Sequence, residues 1–381
     1  MSFLFSFYSM KGEAQTATEL AEQLMGLAQR VQDSTFLLLA HRVRGGGLYG
    51  QGELTSALKH FEQVIALYDR EHHYPLAFLS ILDSGVHCRT YAAEALWLLG
   101  YPDQALKRIQ EAFALARELS HPNSLVYAIA CAAIVSQVCR NAPAVREQTE
   151  AAIALSTEDG FPFLLPELTI LHGWALVTQG REEEGIAQIG QGLAAKRDMR
   201  AEGPNLLYFR AVLAEAYGRV GQLEEGLILL TEALELANCR KVHCFEAELH
   251  RLKGELTLQK FQVSGSKFQL QTSPKTKDKG PKKSSVLSSQ LSVPSPQLLT
   301  SDPQAEAEAC FHKAIEIARR QQAKSLELRA VMSLSRLWQP QGKKKKKARQ
   351  MLAEIYGWFT EGFDTKDLQE AKALLEKLGS P

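Results

Sequence analysis

Cysteine and histidine residues cluster in the stretch CRKVHCFEAELH, residues 239–250. Cys239 and His243 stand four positions apart, so one face of a helix could present two soft metal ligands, with Cys244 and His250 close by. A structural zinc site needs four ligands and usually a Cys-x-x-Cys pair, which the stretch lacks. We therefore interpret these residues as ordinary helix positions and predict neither a metal ion nor a cofactor.

Motifs for phosphate binding and for nucleophilic catalysis are missing from the sequence. No Gly-x-x-x-x-Gly-Lys-Ser/Thr loop, paired-aspartate cyclase site or Gly-x-Ser-x-Gly turn occurs. Lysines are dense at residues 343–347 and 275–283, but no aromatic residues alternate with them to stack on bases. We predict solvated charge there rather than nucleic-acid contact, and no catalytic residue. The adjacent pair His72 and His73 is interpreted as an exposed loop between helices.

Composition is that of an ordinary water-soluble protein. Lys and Arg number 44 and Asp and Glu 43, so the formal charge of +1 creates no general attraction for nucleic acid or anionic membranes. The six cysteines lie in apolar stretches, which favours reduced, buried thiols. The opening MSFLFSFYSMKG has no basic segment and no small-residue cleavage site, and it is too short to span a bilayer. These features predict a cytoplasmic protein with no membrane partner.

A glycine-centred pattern recurs along the chain with a period of about 40 residues. Its turn positions are Gly52, Gly100, Gly180 and Gly221, and Arg140 fills the equivalent place in the remaining copy. Each unit consists of an apolar first helix, a turn and a second helix that carries small residues where helices must approach closely. Because one pair of helices cannot bury both of its faces, neighbouring units must stack.

The repeat is similar to a known family. Leu213, Ala214, Tyr217, Gly221 and Ala233 match the tetratricopeptide pattern. The longer unit resembles the helical repeat arms at the C-terminal end of bacterial signalling ATPases and adenylate or guanylate cyclase fusions, with residues 305–338 and 356–378 resembling the end of such arms. The pattern and the resemblance together predict an all-α, right-handed solenoid of about seven helix pairs.

The predicted organisation has four parts. Residues 1–11 form an N-terminal extension, 12–261 tetratricopeptide-like repeats, 262–304 a disordered Ser/Pro/Lys-rich insert within a repeat, and 305–381 the final repeats with a C-terminal cap. The lysine run 343–347 adds one residue to a turn, so we expect the chain to loop out there. The aromatic residues from Tyr356 to Phe363 are interpreted mainly as the cap, and alternatively as a docking patch.

The resemblance also implies a binding surface. In such arms the first helix of each pair lines a concave groove, at positions thirteen, ten, six and three residues before the turn. Carried over to this sequence, the groove presents Tyr49, His87, Trp97, Tyr127, Trp174, Tyr208, Arg251, Arg329 and Arg336. Aromatic and Arg residues anchor many interfaces, so a groove with an apolar end and a basic end suits a peptide or protein ligand. The alternative, expected for about half of these side chains, is packing between repeats.

These observations favour a non-catalytic protein-binding scaffold, the sensory or regulatory arm of a bacterial signalling assembly. The alternative is the C-terminal part of a nucleotide cyclase or signalling ATPase whose catalytic domains are on another chain or lost. A non-functional fragment is a further alternative.

Overall fold

The computed structural model describes residues 4–5, 7–8, 11, 13–77, 82–158, 162–199, 205–271 and 302–379. All secondary structure in these ranges is helical. Besides the short helical turns Arg70–His73, Tyr74–Leu76 and Pro162–Leu164, the first helices are α1 (Ala14–Val31), α2 (Ser34–Gln51), α3 (Leu54–Leu67), α4 (Ser84–Leu99), α5 (Pro102–Leu119), α6 (Pro122–Val138), α7 (Ala142–Glu158) and α8 (Leu165–Thr178). They are followed by α9 (Glu182–Asp198), α10 (Asn205–Val220), α11 (Leu223–Arg240), α12 (Glu246–Gln271), α13 (Pro303–Gln321), α14 (Lys324–Trp338), α15 (Gly342–Tyr356) and α16 (Lys366–Gly379).

Helices α2 to α15 pack as seven successive pairs in the described part of the chain. The first helix of each pair also contacts the first helix of the next, so α2, α4, α6, α8, α10, α12 and α14 form a continuous inner layer. The second helices of the pairs form the outer layer, because each packs on its own partner and on the following first helix. The predicted all-α solenoid of about seven helix pairs is therefore confirmed.

The turns inside the pairs have the backbone conformation that the repeat requires. Gly52, Gly100, Gly180 and Gly221 all have φ between 79° and 96°, the left-handed region that glycine tolerates best. Arg140 occupies the same turn position with φ 61°, which costs a residue with a side chain about 1–2 kcal/mol. Its guanidinium group bonds Glu370 Oε1 at 2.8 Å and Asp367 Oδ1 at 3.3 Å, so contacts with α16 offset the backbone strain.

Small residues let α8 and α9 cross very closely. A Cβ atom on Gly173 would meet the backbone oxygen of Gly185 at 2.5 Å, and a Cβ atom on Gly185 would meet the backbone oxygen of Gly173. Gly190 also lies in α9, but a Cβ atom there would have no neighbour within 4 Å. Gly185 and Gly190 of α9 therefore differ in packing although both have helical backbone.

We expect Gly185→Ala to lower the free energy of unfolding by about 1–3 kcal/mol, since the added methyl group must push two backbones apart. Gly190→Ala should raise it by roughly 0.5–1 kcal/mol, because alanine favours helix and meets no obstacle. Urea denaturation followed by circular dichroism measures both changes. Equal effects at the two positions would contradict the close crossing of α8 and α9.

The insert lies between two helices that pack together. Gly254 of α12 faces Phe311 of α13, whose ring a Cβ atom at position 254 would meet at 2.6 Å. Helix α12 continues to Gln271, so the first ten residues assigned to the insert are helical, and α13 begins at Pro303 with Asp302 as its N-cap. The rest of the predicted disordered segment, residues 272–301, lies outside the described residues.

The expected loop at the lysine run is wrong. Helix α15 begins at Gly342, so the lysines occupy its first turns, and Ala348, Leu352 and Ile355 still face the core. Lys344 Nζ binds Glu308 Oε2 at 2.7 Å, and the ammonium groups of Lys344 and Lys347 lie 5.4 and 5.3 Å from the ring centre of Trp338. Helical backbone is kept because these contacts give the charges partners on α13 and α14.

The solenoid closes on itself, since its C-terminal helices reach the turns of the first repeats. Three carbonyl groups near the C-terminal ends of α2, α4 and α6 accept hydrogen bonds from residues far along the chain. His243 N bonds Gly50 O at 2.8 Å, Ser325 Oγ bonds Trp97 O at 2.5 Å, and Arg329 Nη2 bonds Val138 O at 2.6 Å. The last carbonyl groups of a helix have no acceptor role within it, so these contacts give them donors from other repeats. The Trp97 carbonyl also accepts a hydrogen bond from Gly100 N at 3.0 Å.

The C-terminal aromatic residues take part in this closure. The ring of Trp358 lies 5.4 Å from that of Tyr101 and also packs against Gly100. Phe359 is buried in the core of the last helices, whereas Phe363 is exposed. Trp358 therefore covers a turn of an early repeat as well as the end of the solenoid.

Candidate functional site: the inner face

The predicted groove residues lie on the inner layer, but their exposure differs widely. Tyr49, Trp97, Trp174 and Tyr208 are between 0% and 4% exposed, so they offer almost no surface to a ligand in this conformation. His87, Tyr127, Arg251 and Arg329 are partly buried, and Arg336 is exposed. The buried side chains pack between repeats, as the alternative interpretation expected for about half of the set. A binding role for the nine residues stays a prediction.

The aromatic end of the inner face is a set of neighbouring rings from α2, α4 and α6. We name Tyr49, His87, Tyr91 and Tyr127 the aromatic cluster. Tyr91 meets Tyr49 edge to face with ring centres 5.1 Å apart, and His87 lies 4.7 Å from Tyr91 and stacks on Tyr127 at 5.7 Å. His87, Tyr91 and Tyr127 are half-buried residues, whereas Tyr49 is buried. Three consecutive repeats thus contribute rings to one cluster, and its half-buried residues come from α4 and α6.

Glu94 lies beside this cluster and is 5% exposed. Its Oε2 atom accepts a hydrogen bond from the Tyr49 hydroxyl at 2.8 Å. Burial raises the pKa of Glu94 to about 7, the Tyr49 hydrogen bond opposes the rise, and the charge of Glu167 adds to it. Glu167, on α8, forms an ion pair with Lys196. A carboxyl that titrates near neutral pH is therefore held at the aromatic end of the inner face.

The basic end of the inner face is electrically neutral because each arginine has a carboxylate partner. We name Arg140, Arg251, Arg329, Arg336, Glu248, Glu255, Asp367 and Glu370 the charge network. Arg251 binds Glu248 through two nitrogens, at 2.7 and 2.8 Å, and Arg329 Nε binds Asp367 Oδ2 at 2.7 Å. The guanidinium group of Arg329 also lies 4.9 Å from the ring centre of Trp97.

Glu248 shows how strongly these charges interact. Burial alone would raise its pKa, but the positive charges of Arg251 and Arg329 outweigh burial and lower the pKa to about 2. A cavity of about 230 Å³ lies at the centre of the network, and its lining holds five arginines and five carboxylates. The balance of charge means that this cavity has no net attraction for an anion. The sequence analysis selected arginines at this end but not the carboxylates that neutralise them, and a binding role for these arginines stays a prediction.

Several inner-face residues were not selected from the sequence, although the spacing could have identified them. Glu94 and Glu215 lie six residues before Gly100 and Gly221, and Glu167 lies thirteen before Gly180. Gln137 lies three before the turn residue Arg140 and accepts a hydrogen bond from Tyr208 at 2.6 Å. Only aromatic and Arg residues were selected, so the carboxylates on the same face were missed. The repeat spacing does not identify Asp367 and Glu370, because they lie on α16 and contact the inner face only where the last helices pack against the earlier repeats.

The other candidate residues do not form sites in the described part of the chain. No group of three or more His, Cys, Asp or Glu residues there is placed to hold a metal ion. Cys239 is exposed, contrary to the expected burial, while Cys244 is buried and His243 bonds Glu246 at 3.0 Å. His73 is also buried rather than exposed, with its Nδ1 atom bonded to Asp69. None of the helices in the described ranges is both long and apolar enough to cross a membrane.

The chain resembles known proteins in structure but matches none of the known sequence families. No protein-family model matches the chain, and no curated protein matches it. Among solved structures, a Rap protein complexed with competence and sporulation factor is 16% identical, with 68% of this chain and 75% of that chain covered and a TM-score of 0.46. Yeast Tom70 is 13% identical, with 95% and 58% covered and a TM-score of 0.42.

A third structure is a signal transduction ATPase with numerous domains and a tetratricopeptide repeat sensor, from Pyrococcus horikoshii. It is 12% identical, with 95% of this chain and 49% of that chain covered and a TM-score of 0.42. The chain is an all-α solenoid of paired helices, and tetratricopeptide-repeat proteins are among the solved structures that it resembles.

Proposed function

We propose that the chain is a non-catalytic protein-binding scaffold that holds a peptide, or an extended segment of a partner protein, on the aromatic end of its inner face. The observation that carries this proposal is the aromatic cluster, in which rings from three consecutive repeats pack together and the residues His87, Tyr91 and Tyr127, from two of these repeats, are only half-buried. Large rings supply much contact area for little loss of side-chain entropy, which suits them to recognition.

The charge network supports the same location for the ligand. Arg251 and Arg329 already bind carboxylates of this chain, so a ligand would have to displace Glu248 or Asp367 to use them. The rings of His87 and Tyr127 have no comparable ion pair with a carboxylate of this chain. We propose the regulatory arm of a cytoplasmic signalling assembly as the setting for this binding, in keeping with the repeat architecture and the lack of catalytic motifs in the sequence.

A displayed library of random twelve-residue peptides, selected on the immobilised protein, tests the proposal. We expect enriched peptides whose affinity falls at least tenfold on Tyr127→Ala, because that change removes a partly exposed ring of the aromatic cluster. Phe36→Ala removes an exposed ring outside the cluster and should leave the affinity unchanged. Circular dichroism confirms that both variants remain helical.

Two results would contradict this function. One is the absence of any enriched peptide, or enriched peptides whose binding is insensitive to Tyr127→Ala. The other is hydrolysis or cyclisation of ATP or GTP that accompanies the protein through a second, orthogonal purification, since a scaffold has no such activity.

A further inference from the structure

Glu94 is the buried carboxylate of the inner face that has no cationic partner among the described residues. The others are paired: Glu167 with Lys196, Glu215 with Arg219 at 3.0 Å, and Glu248 with Arg251 and Arg329. For Glu94 the only hydrogen-bond donor in the described part of the chain is the Tyr49 hydroxyl. At 5% exposure, Glu94 has little contact with water to offset the missing partner.

An unpaired buried carboxylate is costly, and a ligand that brings a positive charge would recover that cost. Burial of the carboxyl disfavours its charged form, as its raised pKa of about 7 shows. A bound cation would favour the charged form and bring the pKa back toward its ordinary value. The attraction between the ionised carboxylate and the cation contributes to the affinity, because charges attract more strongly in a site with little water.

The rings around Glu94 are suited to an organic cation. Glu94 lies near enough to Tyr91 and Tyr127 for its charge to raise their pKa values, in addition to the larger effect of burial. The faces of aromatic rings attract ammonium and guanidinium groups, and their alkyl chains pack on the same surface. His87 supplies no positive charge of its own at neutral pH, because burial and the nearby Arg42 hold its pKa well below the ordinary value.

We propose that Glu94 and the aromatic cluster form a subsite for the positively charged side chain of a Lys or Arg residue in a bound peptide. The ammonium or guanidinium group pairs with the Glu94 carboxylate, and the alkyl chain lies against Tyr91 and Tyr127. The subsite rests on the proposed function, since it specifies which residue of the peptide is recognised. It also gives the scaffold a preference for basic segments, although the protein as a whole is almost neutral.

The test uses the same random twelve-residue library, selected in parallel on the wild-type protein, on Glu94→Gln and on Glu235→Gln. Glutamine at position 94 keeps an oxygen that can accept the Tyr49 hydrogen bond but has no charge. Glu235 is exposed on α11, away from the inner face, and serves as the matched control. We expect Lys or Arg at one fixed position of the peptides from the wild type and from Glu235→Gln, and no such preference from Glu94→Gln.

A synthetic peptide from the wild-type selection then supplies a second measurement, in which the peptide is changed as well as the protein. Replacing its conserved Lys or Arg by norleucine should weaken binding to the wild type at least tenfold, and binding to Glu94→Gln by less than twofold. Peptides without a basic preference, or equal losses in both proteins, would refute the subsite while leaving the scaffold function intact. If no peptide is enriched on any of the three proteins, the proposed function itself fails. Free n-butylamine that competes as strongly as the peptide would show a small-amine site instead and also overturn the proposal.

Discussion

Replacing Arg329 by leucine should lower the free energy of unfolding by about 3–5 kcal/mol, the cost of removing one partner from a buried ion-pair network. The change leaves Asp367 with one cation fewer and the Val138 carbonyl without its Nη2 donor. It also removes the contact with Trp97, so the closure between the two ends of the solenoid loses its central group. Urea denaturation followed by circular dichroism measures the loss, and tryptophan fluorescence shows whether the transition remains a single one.

Arg336→Leu is the matched control for this change. Arg336 was predicted from the same helix and the same face, and it also has a carboxylate partner, Glu370 Oε2 at 2.9 Å. Its side chain is 46% exposed, against 14% for Arg329, so water replaces the lost ion pair and the expected change is below about 1 kcal/mol. Similar losses in both variants would show that the charge network does not hold the closed ring together.

Glu94→Gln should change how stability depends on pH. The pKa of Glu94 is about 7 in the folded protein against 4.5 for an ordinary Glu, so the unfolded chain releases this proton more readily. As the pH rises from about 4.5 to 7, the free energy of unfolding of the wild type therefore falls relative to that of Glu94→Gln. The total loss is about 3 kcal/mol. Above that range the difference is constant, and Glu94→Gln is the more stable protein. The comparison uses urea midpoints of both proteins between pH 4.5 and 8.

Tyr49→Phe provides the opposite change at the same site. Loss of the hydroxyl removes the one hydrogen bond that lowers the pKa of Glu94, so the pH range over which stability falls should extend above 7. Parallel pH profiles for the wild type and Glu94→Gln would contradict burial of the carboxyl. A profile for Tyr49→Phe that ends at a lower pH than that of the wild type would contradict the role of the hydrogen bond.

The features that were predicted correctly depend on contacts within a repeat. The period of about 40 residues located the turns, including the one at Arg140, because a helix pair needs a left-handed residue at the same place in every copy. Gly185, a small residue of a second helix, lies at a close helix crossing for the same local reason. Such features recur along the chain, so several copies in the sequence indicate the same local structure.

The features that were missed depend on which repeats meet when the solenoid closes. Nothing near Arg329 in the sequence indicates that Val138 and Asp367 are its partners, since both contacts join distant segments. The burial of Trp97 follows from the same closure, because Ser325 and Arg329 approach it from the last repeats. The prediction of a loop at the lysine run was wrong for a related reason. Glu308 and Trp338 contact these lysines, and the lysine run itself does not indicate these partners.

The three capped carbonyls at Gly50, Trp97 and Val138 bear on how this protein can evolve. An open solenoid tolerates the gain or loss of a unit, since each unit touches only its neighbours. Here the donors His243, Ser325 and Arg329 must lie opposite the C-terminal ends of three particular helices. One extra helix pair between these donors and their acceptors would move each donor away from its acceptor. Duplication of a single unit would therefore break the ring rather than lengthen it. The contacts between the early and late repeats therefore fix the number of repeats that can lie between them.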